Sequence, residues 1–255
     1  MAIKIAYNAG HILATPGKRV PKQLDPWQTR EWTLNDRVAR YFLQEMMEYE
    51  GVELRRLDDP EGAKPIDIDQ RVAKANAWPA DFYLSIHHNA AGQIFDGGGA
   101  EVYIDAEGGK SEEYARAIYE AVVEATGLKG DRADPLRSTA DGERLYETRA
   151  TAMPAVLVEY GYMDSRVDAP IILTEAYARA AGTATARAIA KVAGLEKKEE
   201  EEMVKFNTIE EIPDYGKATI QKLVDVGALQ GTGEGLALSE DMLRILVILD
   251  RMGKL

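Results

Sequence analysis

Phe82-Tyr83-Leu84-Ser85-Ile86-His87-His88-Asn89-Ala90 is an apolar, β-prone run that ends on two of the protein's three histidines. A run of this length and composition is a strand signal, and histidine is both the commonest metal ligand and the side chain that titrates near neutrality. The third histidine, His11, follows a second β-prone run, Ile3-Lys4-Ile5-Ala6-Tyr7, through Asn8-Ala9-Gly10. Two distant strand ends carrying imidazoles predict one shared site.

Working outward, strand candidates recur near 52–58, 99–105 and 155–160, and helical patterns near 30–50, 67–77 and 111–127 fall between most of them. In the first of these helices Trp32, Leu34, Val38, Tyr41, Phe42 and Met46 give most of an apolar stripe, and Gly51 ends it. An Ala-rich, helix-forming segment runs from Ala169 to Gly194, whose glycine suits a C-cap. Strands alternating with helices predict an α/β domain with a mostly parallel central sheet flanked by helices. Ligands of such sheets collect at the carboxyl ends of the strands, where His11, His87 and His88 fall.

Composition limits the chemistry. A chain of 255 residues, 45% of them hydrophobic, can bury one substantial core and a small second unit. There are no cysteines, so disulfides, thiolate metal sites and a cysteine nucleophile are excluded together, and any metal must be held by His, Asp and Glu. The formal charge of −12 is spread over the whole chain without a basic stripe, which argues against nucleic acid as a partner. No run of eighteen apolar residues suggests a membrane span, and the N-terminus lacks the basic, apolar and small-residue pattern of a signal peptide. The expectation is a protein made and kept in the cytoplasm, at least at first, with no membrane partner.

The chain divides naturally once. Residues 1–194 read as the main domain, 195–203 as a linker built on Glu196-Lys197-Lys198-Glu199-Glu200-Glu201-Glu202, and 204–255 as a small all-α module. The module has one helical pattern from about Gly216 to Val226 and a second starting near Ser239, a good N-cap. Met242, Leu243, Ile245, Leu246, Val247, Ile248, Leu249 and Met252 surround more than one face of the second helix. A helix so apolar needs cover on several sides, which predicts self-association or docking on a partner.

Zinc hydrolases use three protein ligands and leave a position for water, and two histidines with one carboxylate suffice. His-Glu-x-x-His, Gly-x-Ser-x-Gly and the Gly-x-x-x-x-Gly-Lys phosphate loop are all absent. What remains is dispersed: His11, then His87 or His88, and an acid. The best acids are Glu31, at the start of the first helix, and Glu159, directly after the apolar strand Ala155-Val156-Leu157-Val158. Taken singly, each has an ordinary structural role open to it: a turn histidine, a helix N-terminal acid, a salt bridge.

Taken in order, Asn8-Ala9-Gly10-His11, Arg30-Glu31 with Leu34-Asn35, Ser85-Ile86-His87-His88-Asn89-Ala90 and Met153-Pro154-Ala155-Val156-Leu157-Val158-Glu159-Tyr160-Gly161-Tyr162 resemble the zinc N-acetylmuramoyl-L-alanine amidases of the type-3 amidase family. The resemblance covers roughly residues 1 to 193. It implies that His11, Glu31 and His87 bind Zn2+, that Glu159 is catalytic, and that the substrate is peptidoglycan, cut between N-acetylmuramic acid and L-alanine. His88 falls in a variable position of the family motif. Adjacent strand residues point to opposite faces, so only one of the two histidines aims at a given site, and His87 is the expected ligand with His88 at the cleft rim. Arg71, Ala75 and Asn76 fit a family pattern in the preceding helix and are expected to be supporting residues. Tyr160-Gly161-Tyr162 departs from the family's more frequent Thr-Gly-Phe, a change expected to alter pocket shape more than metal chemistry.

The C-terminal segments Phe206-Asn207-Thr208-Ile209-Glu210-Glu211-Ile212-Pro213, Ile220 to Gly227, and Leu238-Ser239-Glu240-Asp241-Met242-Leu243-Arg244 resemble one S-layer-homology-like module, which implies binding to bacterial wall polymers. A wall-cutting enzyme without an export signal suggests a phage endolysin, held in the host cytoplasm until lysis and then acting on the cell wall. A bacterial autolysin, a zinc carboxypeptidase acting on the stem peptide and a non-catalytic wall-binding protein are the alternatives. Lys198-Glu199-Glu200-Glu201-Glu202-Met203 can also be encoded by a strong ribosome-binding sequence ahead of an internal start at Met203. Such a start yields a separate copy of the C-terminal module able to assemble with the full chain.

Overall fold

The computed structural model describes residues 2–130, 136–137, 145–198, 205–231, 233 and 235–255. These fall into two compact units, residues 1–198 and 199–255.

The first unit is built on β1 (Ile3–Ala9), β2 (Val52–Arg56), β3 (Phe82–Asn89), β4 (Ala100–Tyr103), β5 (Leu136–Arg137) and β6 (Ala155–Tyr162). They form one sheet in the order β2-β1-β3-β6-β4-β5. The β2-β1-β3-β6 run is parallel throughout, while β4 lies antiparallel to β6 and β5 parallel to β4. This is the expected mostly parallel sheet. The three central strands read as near-continuous apolar runs because both of their faces are covered.

One face carries α1 (Glu31–Met46), α3 (Gly109–Thr126) and α6 (Glu175–Ala193). Ile5, Tyr7, Phe82, Leu84, Ile86, Val156, Val158 and Tyr160 meet Leu34, Val38, Phe42, Ile118, Val122 and Ile189 in the main core. Gly182 lets α6 approach α1 closely, since a Cβ there would press on the backbone of Val38 and Phe42. The other face carries α2 (Ile68–Ala77) and α4 (Tyr146–Ala150), and Ala6, Tyr83 and Ala155 pack there with Leu57 and Ala75. Strand alternation therefore sorts the site residues: Asn8, Ser85, His87 and Glu159 fall on the α2–α4 side, and His88 on the α1–α6 side.

Two boundaries differ from expectation. The Ala-rich segment is two helices, α5 (Ala169–Ile172) and α6, because the Thr174 hydroxyl accepts from the Tyr177 N–H and starts a new helix. Gly194 does cap α6, in the left-handed conformation at φ 66°. The first unit also extends beyond 194. Leu195 packs on the core, the Glu50 N–H donates to the Glu196 carbonyl, and the Lys198 N–H donates to the Glu48 carbonyl, so the start of the expected 195–203 linker is fastened to the turn between α1 and β2. The remainder of that linker, with Met203, lies outside the described residues.

The second unit contains β7 (Lys205–Phe206), α7 (Asp214–Asp225), β8 (Leu238–Ser239) and α8 (Glu240–Arg251). It is helical as expected with one addition to an all-α reading, a two-residue antiparallel ladder between β7 and β8. Phe206, Ile212, Ile220, Leu223, Leu238, Leu243 and Val247 form its core, and Ser239 caps α8 by accepting from the Met242 N–H. Gly216 admits the Leu243 side chain where a Cβ would collide, which sets how closely α7 and α8 pack.

Candidate metal centre

His11, Glu31 and His87 converge at the carboxyl ends of β1 and β3, with one potential ligand atom from each lying within 4.8 Å of the others. Glu31 opens α1 and is fully buried. Its Oε1 lies 3.2 Å from His11 Nε2 and 3.1 Å from His87 Nδ1, and Lys18 Nζ stands 3.5 Å from Oε2. The two imidazoles meet edge to face at 5.0 Å between ring centres.

The backbone is shaped to this end. His11 adopts a left-handed φ of 65°, a conformation costing roughly 1–2 kcal/mol for a residue with a Cβ. Gly10 before it lies flat against His87, and a Cβ at position 10 would occupy the space of that ring. Asn35 of α1 fixes the same corner: its Nδ2 donates to the Gly10 carbonyl at 3.1 Å and its Oδ1 faces His88 Nδ1 at 2.7 Å.

His88 is not at the cleft rim. It is 1% exposed, lies between Asn35, Tyr160 and Tyr177, and burial pushes it down to about 3, so it is neutral. The pleat that aims His87 at Glu31 sends His88 into the opposite layer.

Glu159 of β6 is in register with His87. Its Oε2 is buried and has no hydrogen-bond partner among the described residues. Burial pushes this carboxyl up to about 8, with His87 pulling it down and Glu31 pushing it up. Beyond Glu159 the pairing slips, with His87 opposite Glu159 but Asn89 opposite Tyr162, and Gly161 takes the bulge at φ 95°. Tyr160 therefore does not shape the pocket: it is buried on the helix side with its hydroxyl against that of Thr185. Tyr162 donates its hydroxyl to Glu101, the residue opposite Glu159 on β4.

The remaining ionisations follow from burial and partners. Burial raises Glu31, but His11 and His87 outweigh it and hold the carboxyl far below its usual range. Burial would strip His87 of its proton, yet the Glu147 and Glu31 carboxylates beside its two ring nitrogens and the charge of Glu159 push it up to about 10. His11 is pushed down by burial.

Glu147 was not legible in the sequence. It is 3% exposed on the short helix α4, and one acid beside Arg149 in a segment without periodicity carries no signal of burial. Arg71 and Asn76 take the supporting roles expected of them. Arg71 donates to the Asn8 side chain and the Ile66 carbonyl, and Asn76 ties α2 to the Ala150 carbonyl and the Ala152 N–H. His11, His87, Arg71 and Glu147, with Ile66 and Ile68, line a cleft of about 240 Å³. A larger groove of about 950 Å³ between α1, α3 and α6 contains none of these groups.

Two imidazole nitrogens and a carboxylate are a zinc donor set, and the buried Oε2 atoms of Glu31 and Glu159, which accept no hydrogen bond from the described residues, are what a cation would satisfy. The residues fit the group.

Comparison with known proteins identifies the family. The family model for Amidase_3, N-acetylmuramoyl-L-alanine amidase, matches residues 5–191. The chain is 30% identical over 200 residues to the N-acetylmuramoyl-L-alanine amidase CwlM of Bacillus licheniformis, covering 76% of this chain and 70% of that protein. It is 38% identical over 106 residues to an uncharacterised 38.4 kDa protein of Clostridium perfringens, covering 41% of this chain but only 29% of that protein's length. Among solved structures, the catalytic domain of the N-acetylmuramoyl-L-alanine amidase CwlV from Bacillus (Paenibacillus) polymyxa shares the fold at a TM-score of 0.65 and 22% identity, covering 76% of this chain and 99% of that one. With its family match running from the first strand to the last helix of the first unit, this chain belongs to the N-acetylmuramoyl-L-alanine amidase family.

Proposed function

We propose that the first unit is a zinc-dependent peptidoglycan hydrolase that cleaves the amide between N-acetylmuramic acid and L-alanine. The observation that carries this reading is the convergence of His11, Glu31 and His87 with Glu159 in register beside His87. His11, Glu31 and His87 would hold Zn2+, which when bound supplies a Lewis acid that polarises the scissile carbonyl and makes water nucleophilic near neutrality. Glu159 takes the proton of the attacking water and returns it to the departing amine of L-alanine. With zinc bound, the ligand set would be the Glu31 carboxylate and two unprotonated ligand nitrogens, and Lys18, 3.5 Å from Glu31 Oε2, would offset part of the carboxylate charge. His11 and His87 both line the cleft, which is where a stem peptide would enter.

Metal content with wall lysis tests this. The purified protein should carry about one zinc per chain, lose lysis to a chelator and recover it with zinc. Metal-independent lysis, or metal-free protein that binds wall and cuts nothing, sinks the reading in favour of another mechanism or of a wall-binding protein.

We extend the proposal to the second unit and to biological context. α8 buries Leu243 and Val247 but leaves Met242, Ile245, Ile248 and Met252 half exposed or more, an apolar stripe at helical spacing on the face away from the unit's core. Acids Glu240 and Asp241 sit in the first turn and Arg251 in the last, so two copies pairing antiparallel along this stripe would set acidic end against basic end. The stripe supports the proposal that the C-terminal unit self-associates, in full chains or with a copy started at Met203, and the proposed wall-polymer binding rests on the sequence resemblance of this unit. An endolysin held in the host cytoplasm until lysis is the context we favour, over an autolysin of the same activity. Among the described residues no helix is long and apolar enough to cross a membrane.

A further inference from the structure

Glu147 is buried at the back of the metal centre, held by more groups than a helix-surface acid requires. Its Oε1 accepts from the Tyr83 hydroxyl at 2.8 Å and from Asn8 Nδ2 at 3.2 Å, and its Oε2 accepts from the Ser85 hydroxyl at 3.1 Å. All three donors lie on the α2–α4 side of β1 and β3, the side His87 faces. These donors are neutral, and Arg71 nearby directs its guanidinium to Asn8 and the Ile66 carbonyl. On the same side the His87 ring stands with its Nε2 3.8 Å from Glu147 Oε2. The opposite nitrogen, Nδ1, faces Glu31 and the metal-ligand cluster.

We propose that Glu147 is a positioning residue that fixes the orientation and tautomer of His87, keeping the ring proton on Nε2 and presenting the Nδ1 lone pair as the metal ligand. A neutral imidazole has one proton for two nitrogens, so an anionic acceptor fixed on one side decides which nitrogen is free on the other. Tyr83, Asn8 and Ser85 hold that acceptor in place. The short helix α4, which brings Glu147 over β3, thereby acts on the metal through His87 without touching it. The inference rests on the zinc reading above.

Two measurements on the full chain decide it. In zinc-loaded parent protein, nitrogen NMR of the imidazoles should show His87 protonated at Nε2 and metallated at Nδ1, and the reverse arrangement overturns the assignment. Glu147→Gln keeps the side chain's size and an oxygen acceptor but removes its charge. Zinc affinity, read by competition with a chromophoric chelator, should fall about 10–100-fold, the range for lost ligand-orienting partners, while metal-free Glu147→Gln melts near the metal-free parent. Unchanged zinc affinity with lowered melting would mean that Glu147 only holds α4 on the sheet and would refute the proposal. Should Glu147→Gln not fold, the NMR result on the parent decides alone. A parent that takes up no zinc refutes the metal reading and this assignment with it, whereas a zinc-binding parent matched by Glu147→Gln refutes only this assignment.

Discussion

His87 of β3 and Glu159 of β6 are partners across a parallel strand pair, in register and on the same face of the sheet. Hydrogen bonds of the ladder set their spacing, so a ligand and a proton carrier are held side by side by backbone and not by loops. Removing either group should therefore be readable separately. Glu159→Gln should lower amide hydrolysis by about 10²–10⁴-fold, the usual contribution of a general base, with zinc content unchanged. His87→Ala should lose the metal along with activity. Equal zinc loss in both variants would place Glu159 among the ligands.

Gly10 should be irreplaceable even by alanine. A Cβ there falls inside the His87 ring, so Gly10→Ala must displace the imidazole or the turn that carries His11. The expected result is a folded protein, by circular dichroism, with zinc occupancy largely lost. Normal zinc binding in Gly10→Ala would show that the ring has room that this packing denies it.

Zinc affinity should rise with pH. A ligating imidazole must be unprotonated at its ligand nitrogen, and in the metal-free protein His87 is pushed up to about 10, above its ordinary value, so it keeps its extra proton below that pH. Zinc has to displace this proton throughout the neutral range, whereas His11, pushed down by burial, has none to give up. Apparent affinity should therefore climb about tenfold per pH unit through neutrality, with about one proton released per zinc in calorimetry run in two buffers. A flat profile with no proton release contradicts the charge arrangement around His87.

If α8 is the contact between copies, charge placed in its exposed stripe should separate them. Ile245→Glu or Ile248→Glu points away from Leu243 and Val247, so the unit should stay folded while the full-length mass in light scattering falls to that of one chain. A parent that is already monomeric at the concentrations used for lysis would end the self-association proposal.

How much of this was legible in the sequence depends on whether a residue's role is set locally. The apolar runs at Ile3, Phe82 and Ala155 fixed the central strands, because a strand buried on both faces must be apolar nearly throughout. His11, His87 and Glu159 were legible as candidates because each follows an apolar run, and Glu31 because it starts a helix. The role of His88 was not: its neighbours Asn35, Tyr160 and Tyr177 come from distant segments, and only the assembled layers show a buried, neutral imidazole. Glu147 was invisible for the same reason, since what buries it is the contact of α4 with the sheet. The composition of the Ala169–Gly194 segment is helix-forming throughout and hides its break, which comes from a single capping hydroxyl at Thr174.

Identifying the bond that is cut tests the central claim most directly. Purified peptidoglycan digested by the zinc-loaded protein should release stem peptides with a new N-terminal L-alanine and no new reducing sugar ends. A different new amino terminus, or new reducing ends, would contradict the amidase assignment.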